Sequence, residues 1–201
     1  MRRDIAGFTA VALLAACAAI QPPEVEHAST YVLEAPPAAG VPRPRRDLVL
    51  EVTLPRARPG FDTPQMAYTQ RANALEYFAK NRWADTPARM LAPLLAQALD
   101  HSGGFRAVVQ APSLAAANFR LDTELVRLQQ EFGAKPSRVR LTVRAQLIDA
   151  DARRVLASAE FDETEAAPSD DPYGGVVAAN RALGRLLERL ATFCAETTSA
   201  R

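Results

Sequence analysis

The strongest constraint on the fold is an alternation of apolar and polar side chains over residues 137–148. The apolar set is Val139, Leu141, Val143, Ala145 and Leu147, and the set between them is Arg138, Arg140, Thr142, Arg144 and Gln146. Because successive side chains of a β-strand point to opposite faces of the sheet, this pattern predicts a strand with one face in the core and one face in water.

Two neighbouring segments carry the same alternation. Residues 119–132 alternate as far as Leu125 and then change phase, which predicts a β-bulge. After a turn at residues 149–152, residues 155–161 alternate again. Together the three segments predict an antiparallel meander.

Shorter strands are predicted elsewhere along the chain. Their segments are residues 30–34, 48–54, 66–69, 75–79 and 105–110. In the second of them, Leu48, Leu50, Val52 and Leu54 share one face. The third and fourth are separated by a short polar stretch and read as a hairpin, whereas the proline-rich residues 36–46 read as a loop.

Two amphipathic helices are predicted from their start signals and apolar stripes. Thr86 followed by Pro87 is typical of a helix start, and the stripe that follows ends near Gly103. Pro93 lies inside this stripe and predicts a kink or a later start. Asp171 and the proline after it begin a second stripe, which runs through Leu183, Leu187 and Leu190 to Cys194.

These elements predict an α+β fold. Both helices must lay their apolar stripes on the sheet, because no other element remains to cover it. The expected architecture is a two-layer sandwich in which a mostly antiparallel sheet is packed by two long amphipathic helices. Residues 30–201 are expected to form this single domain.

The N-terminus predicts export and lipid anchoring. Residues 1–16 combine two arginines, an apolar run too short to span a bilayer and small residues at the end, as in a signal peptide. Leu14-Ala15-Ala16-Cys17 also resembles the lipobox of bacterial lipoproteins, which implies cleavage before Cys17 and its acylation. Residues 17–29 are then the lipidated N-terminus and a flexible tether. The alternative is an ordinary secretion signal in which Cys17 is incidental.

The expected location is the outer membrane, with the domain in the periplasm. In lipoproteins an aspartate after the acylated cysteine favours retention at the inner membrane, and Ala18 stands in that place here. Without residues 1–16 the chain keeps 22 basic and 22 acidic residues. This balance gives no electrostatic signature of nucleic-acid binding, so membrane affinity must come from the lipid.

The sequence predicts neither an enzyme nor a cofactor or metal site. His27 and His101 have no histidine or cysteine partner at metal-ligand spacing, and the familiar nucleophile and phosphate motifs are missing. Acidic residues cluster at positions 162–171 and favour a solvated turn before a helix. An enzyme would require Asp162, Glu163 or Asp170 to meet His101 in a closed pocket.

Cys194 is left as the one thiol if Cys17 is acylated. It has a helical apolar spacing to the leucines before it, so we expect a small buried hydrophobe; the alternative is an intermolecular disulfide.

Two surface hypotheses remain open. Arg138, Arg140 and Arg144, with Arg120 and Arg127, either grip lipid phosphates or pair with Asp122 and Glu124 on the wet face of the sheet. Residues 61–83 hold five of the 13 aromatic residues of the chain, which either fill the core or bind a partner or apolar ligand. These aromatic residues are Phe61, Tyr68, Tyr77, Phe78 and Trp83.

The chain resembles the auxiliary lipoprotein component of ABC-type transporters. The resemblance lies in the lipobox, Tyr31-Val32-Leu33, Met66-Ala67-Tyr68, Leu75-Glu76-Tyr77-Phe78 and Asn81-Arg82-Trp83-Ala84-Asp85 before a leucine-rich helix. The family includes the lipoprotein partner of paraquat-inducible MCE systems.

This resemblance implies a non-catalytic outer-membrane lipoprotein. Its implied partners are an MCE-domain protein, a permease and an ATPase that together move phospholipid between membranes, and a homo-oligomer fits that role. The competing hypothesis is a periplasmic envelope adaptor, either an activator of cell-wall synthesis or a component of a secretion channel.

Overall fold

The computed structural model describes residues 28–35 and 44–199. The predicted signal peptide, Cys17, His27 and nearly all of the predicted tether lie outside the described residues. So do residues 36–43, which make up most of the predicted proline-rich loop.

The described residues form nine strands and two helices. The strands are β1 (Ser29–Tyr31), β2 (Val49–Val52), β3 (Arg56–Ala57), β4 (Gln65–Thr69), β5 (Glu76–Trp83), β6 (Ala107–Gln110), β7 (Phe119–Glu131), β8 (Arg138–Asp149) and β9 (Arg154–Ala166). The helices are α1 (Pro87–His101) and α2 (Pro172–Ser199). All nine strands belong to one sheet.

Strand β7 organises this sheet. One of its edges pairs along its length with β8, which pairs in turn with β9, and both pairings are antiparallel. The other edge is shared by three short strands, because β2, β3 and β4 each pair with a successive part of β7. Strand β6 extends the sheet beside β2, while β5 and then β1 extend it beside β4.

The prediction of a mostly antiparallel two-layer sandwich is wrong. Among the described residues, five of the eight strand pairings are parallel, so the sheet is mixed. The error has a physical cause. Alternation shows which face of a strand is buried, but it carries no information about which edge the strand joins or in which direction.

Several predictions of local structure are confirmed. The meander of β7, β8 and β9 is confirmed, and so is the bulge, because the register between β7 and β8 shifts between Leu125 and Arg127. The hairpin is confirmed as β4 and β5. Leu54 is an exception, since it is exposed while Leu50 and Val52 are buried.

The helices begin where the sequence predicted. Helix α1 continues through Pro93, which lies on an exposed position, so the later start is wrong. The Thr86 side chain makes no capping hydrogen bond. At α2 the Asp171 carboxylate does cap the helix, because its Oδ1 accepts a hydrogen bond from the Gly174 amide at 2.7 Å.

One hydrophobic core receives the stripes of both helices. Leu91, Leu95 and Leu99 of α1 and Leu183, Leu186 and Leu190 of α2 are almost completely buried there. Alternate residues of β7 and β8 complete the same cluster. The opposite face of strands β7, β8 and β9, which carries Arg138, Arg140 and Arg144, is called the open face below.

Arg46 joins the ends of the two helices. Its guanidinium donates hydrogen bonds to the Gly104 carbonyl, just beyond α1, and to the Ala195 carbonyl and Thr198 hydroxyl in the last turn of α2. A cation at this position also opposes the negative end of the dipole of α2.

We expect Arg46→Ala to lower the free energy of unfolding by about 1–3 kcal/mol, because charge-assisted hydrogen bonds to carbonyl groups are lost. Thermal unfolding should show a midpoint lowered by about 2–4 °C per kcal/mol for a chain of this size. Arg45→Ala, at an exposed neighbouring position, is the matched control. Equal midpoints for the two variants would contradict the role of Arg46.

Cys194 is expected to be unreactive in the folded protein. Its side chain is completely buried, as the sequence predicted, and burial raises the pKa of the thiol to about 12. Because the thiolate is the reactive form, iodoacetamide should label Cys194 only after unfolding in denaturant. Peptide mapping of labelled samples would test this, and rapid labelling of the native protein would refute it.

Candidate functional site: a groove on the open face

The aromatic residues predicted as a partner surface divide between core and surface. Trp83 is only 3% exposed and belongs to the hydrophobic core, so it offers no surface to a partner. The rings of Tyr68, Phe78 and Phe132 pack together, with Tyr68 and Phe78 centroids 4.5 Å apart. Phe61 is half-buried and lines a groove on the open face.

The three predicted arginines are all paired with carboxylates. Arg138 contacts Glu131 at 3.1 Å, and Arg144 contacts both Glu124 at 3.2 Å and Glu160 at 2.9 Å. Arg140 forms a fork with Asp162, whose shortest N···O distance is 2.6 Å. The open face therefore carries a ladder of ion pairs. Of the two expected partners, Glu124 contacts Arg144, whereas Asp122 contacts Arg120 at 3.1 Å.

A groove of about 710 Å³ lies at one end of this ladder. Residues of β7 and β8 form its floor, including Arg127, Arg138 and Arg140. Residues 58–61 form one wall, and residues 69–75, which connect β4 to β5, form the other. Its volume falls within the range of about 300–1,000 Å³ typical of small-molecule sites.

The two walls hold each other in place. The Tyr77 hydroxyl donates a hydrogen bond to the Gly60 carbonyl at 2.9 Å. Gly60 has a φ of +91°, and a Cβ there would lie 2.9 Å from a Leu75 methyl carbon. Asn73, with a φ of 62°, lets the second wall turn back on itself. The groove is therefore built by local backbone geometry as well as by the sheet.

The charge of the groove is unbalanced. Five arginines and one glutamate line it. Three of the arginines have carboxylate partners: Arg138 and Arg140 as described, and Arg58 with Glu124 at 3.4 Å. Within the part of the chain that the structure describes, no carboxylate lies within 4.0 Å of the Arg71 or Arg127 guanidinium.

The bulge brings Arg127 to the open face, at a position where the residue opposite it is neutral. Glu124 lies opposite Arg144 and Glu131 lies opposite Arg138, whereas the register shift places Arg127 opposite the neutral Thr142. The nearest negative charge in that row is Asp162 on β9, and it is held by Arg140 and by the Thr142 hydroxyl at 2.6 Å.

The groove also has apolar side chains. Phe61, Leu75 and Val126 line the same groove, and Leu75 is 38% exposed. The groove thus offers two unpaired cations next to an apolar wall, an arrangement suited to a ligand that is both anionic and apolar.

The acidic cluster does not assemble with a histidine. Asp162 faces the open side of β9, while Glu163 faces α2 and binds Arg185 at 3.2 Å and Arg189. Asp170 accepts a hydrogen bond from the Ser137 amide at 2.6 Å. These carboxylates therefore serve as ion-pair and hydrogen-bond partners within the fold.

No metal site is visible either. In residues 28–35 and 44–199, no group of three or more His, Cys, Asp or Glu side chains could hold a metal ion. Over the same residues, no helix is both long enough and apolar enough to cross a membrane.

Arg71 and Leu75 were not predicted as site residues from the sequence. Clustering along one segment or one strand cannot reveal this groove, because its walls come from two loops joined to a sheet. The available signal was the polar stretch between the two strands of the predicted hairpin, since binding residues often lie on loops. Only the tertiary structure shows that this loop lies beside the arginines of β7 and β8.

The comparisons with known proteins identify the family. The family model that matches residues 31–191 is that of the ABC-type transport auxiliary lipoprotein component. The class of protein indicated is therefore a lipoprotein that assists a transporter. The chain belongs to this family, as its sequence motifs implied. No curated protein matches the chain in sequence.

Solved structures share the fold at low identity. Protein XCC0632 from Xanthomonas campestris matches with a TM-score of 0.79 and 21% identity, over 86% of this chain and 98% of that one. The hypothetical protein CT253 from Chlamydia trachomatis matches with a TM-score of 0.53 and 12% identity, over 77% of this chain and 100% of that one. At these identities the likeness establishes the fold alone.

Acid should weaken the ladder through Asp162. Hydrogen bonds from Arg140, and then from Thr142, hold the pKa of this carboxyl below its ordinary value of 3.8. When the pKa of a carboxyl is lower in the folded state, the ionised carboxylate stabilises the fold at pH values above the pKa of the unfolded state. This stabilisation is lost as the pH falls through the pKa of the folded state.

We therefore expect the free energy of unfolding of the wild type to exceed that of Asp162→Asn at neutral pH, and the difference to shrink as the pH falls below 3.8. Urea denaturation of both proteins at a series of pH values would measure this difference. A difference that stays constant with pH would show that the ionised carboxylate contributes nothing.

Proposed function

We propose that this protein is a non-catalytic outer-membrane lipoprotein that serves as the periplasmic docking component of an MCE-linked, ABC-type lipid transport system. Cys17 holds it to the membrane through its acyl chains. An MCE-domain protein, a permease and an ATPase are its proposed partners, and a homo-oligomer is its proposed assembled form.

The family match over residues 31–191 is the observation that carries this proposal. It covers all of the sheet except the first two residues of β1, and most of α2, so it spans nearly the whole folded domain. The carboxylates that an enzyme would need are engaged in ion pairs and hydrogen bonds within the fold, which favours a binding role. The lipobox-like residues before Cys17 support a lipid anchor.

Geometry supports a domain that works close to the bilayer. The chain between Cys17 and Ala28 can extend by at most about 3.3–3.6 Å per residue, which is on the order of 40 Å over eleven residues. The domain would therefore stay within about 40 Å of the membrane that holds the anchor.

Without the acylated Cys17, the domain should still fold but should no longer attach to the membrane. We expect wild-type protein and Cys194→Ala to fractionate with outer membranes and to carry acyl chains on the N-terminal cysteine, since Cys194 is buried in the core of the domain. Cys17→Ala should lack the acyl chains and leave the membrane fraction. Mass spectrometry of the N-terminal peptide and membrane fractionation would measure both. A Cys17→Ala protein that still fractionates with membranes would contradict the anchor.

The same preparations test the transport role. Pull-down of the wild type should recover an MCE-domain protein, and deletion of the protein should impair the outer-membrane barrier or lipid uptake. Recovery of cell-wall synthases or secretion-channel proteins in place of the MCE protein would instead favour the envelope-adaptor hypothesis.

A further inference from the structure

We propose that the groove on the open face binds the phosphate head of an anionic amphiphile, with Arg71 and Arg127 as its ligands. Phe61, Leu75 and Val126 would contact the apolar chain of the same molecule. This inference rests on the proposed function, because it names the class of ligand that a surface of the transport component would bind.

The number of unpaired cations matches a phosphate monoester. Arg58, Arg138 and Arg140 are paired with carboxylates, and this leaves two positive charges, those of Arg71 and Arg127. A phosphate monoester carries a charge of about −1.5 to −2 at neutral pH. Binding of one such group would therefore neutralise the groove, which neither a neutral lipid head nor a single carboxylate could do.

The positions of the two arginines also favour phosphate over carboxylate. Arg71 lies in the wall formed by residues 69–75, and Arg127 lies in the floor formed by β7. A carboxylate has two oxygens in one plane, which one guanidinium fork can satisfy. A tetrahedral phosphate has oxygens left over for a second fork that approaches from another direction.

The apolar wall argues for an attached chain. Leu75 lines the groove and is 38% exposed, and Phe61 packs against the core from the opposite wall. Burial of apolar surface contributes about 25 cal/mol per Å², so an alkyl chain along this wall would add affinity that inorganic phosphate lacks. The groove is thus complementary to a phosphate that carries an alkyl chain.

Hexyl phosphate is the probe that tests this complementarity. The full chain, purified from membranes and held in nanodiscs of neutral phosphatidylcholine, would be titrated by calorimetry with hexyl phosphate, inorganic phosphate, hexanol or a hexaglutamate peptide. We expect hexyl phosphate to bind at least about tenfold more tightly than inorganic phosphate. Hexanol and the peptide should bind more weakly still.

Variants assign the contacts to residues. Arg71→Gln and Arg127→Gln should each weaken hexyl phosphate binding by about tenfold or more, because each removes a charge-assisted pair of hydrogen bonds. Arg89→Gln on α1 makes the same charge change at an exposed position outside the groove, and should leave the affinity unchanged within about twofold. Leu75→Asn should weaken hexyl phosphate but not inorganic phosphate.

Several results would overturn the proposal. One is equal affinity in the wild type and in both arginine variants, with thermal unfolding midpoints that show the variants to be folded. Another is inorganic phosphate binding as tightly as hexyl phosphate. A third is tighter binding of hexaglutamate, lost in the same variants, which would make the groove a site for an acidic protein segment. Recovery of the MCE-domain protein in pull-downs is measured separately, so failure of the groove leaves the transport proposal standing.

Discussion

Hydrogen bonding along both edges of β7 is the constraint on which the rest of the structure depends. A buried strand must satisfy its backbone amides and carbonyls on each side. One edge of β7 does so with a single long partner, β8, but the other edge is completed by β2, β3 and β4 in turn. The chain therefore leaves the sheet between β3 and β4, where residues 58–61 form one wall of the groove, and again after β4, where residues 69–75 form the other.

The two sides of β9 show how similar residues acquire different roles. Asp162 and Glu163 are neighbours in sequence, yet one side chain belongs to the ion-pair ladder of the open face and the other to the contact with α2. Glu163 is 8% exposed and is held by two arginines one helical turn apart, Arg185 and Arg189. Removal of both arginines would leave this nearly buried carboxylate without these charge partners, so the contact helps to hold α2 on the sheet.

Much of the local structure could be predicted from the sequence. The strands β7, β8 and β9, the bulge after Leu125, the hairpin of β4 and β5 and both helix starts follow from alternation, phase and capping residues, which are local signals. Strand β3 was not predicted, because two residues are too few to show a period. Strand direction was not predictable either, since the parallel partners of β7 are chosen by tertiary contacts that no alternation records.

The site was less accessible to the sequence than the fold, and the bulge explains why. Alternating arginines on a wet strand predict ion pairs, and Arg138, Arg140 and Arg144 do find carboxylates. The position that escapes this pairing is Arg127, because one extra residue in β7 places it opposite Thr142. Without the extra residue, the pairing of Leu125 with Val143 would continue with Arg127 opposite Leu141, on the side that faces the core. The bulge thus places Arg127 on the open face in the floor of a groove, and Arg71 lies in the wall of the same groove.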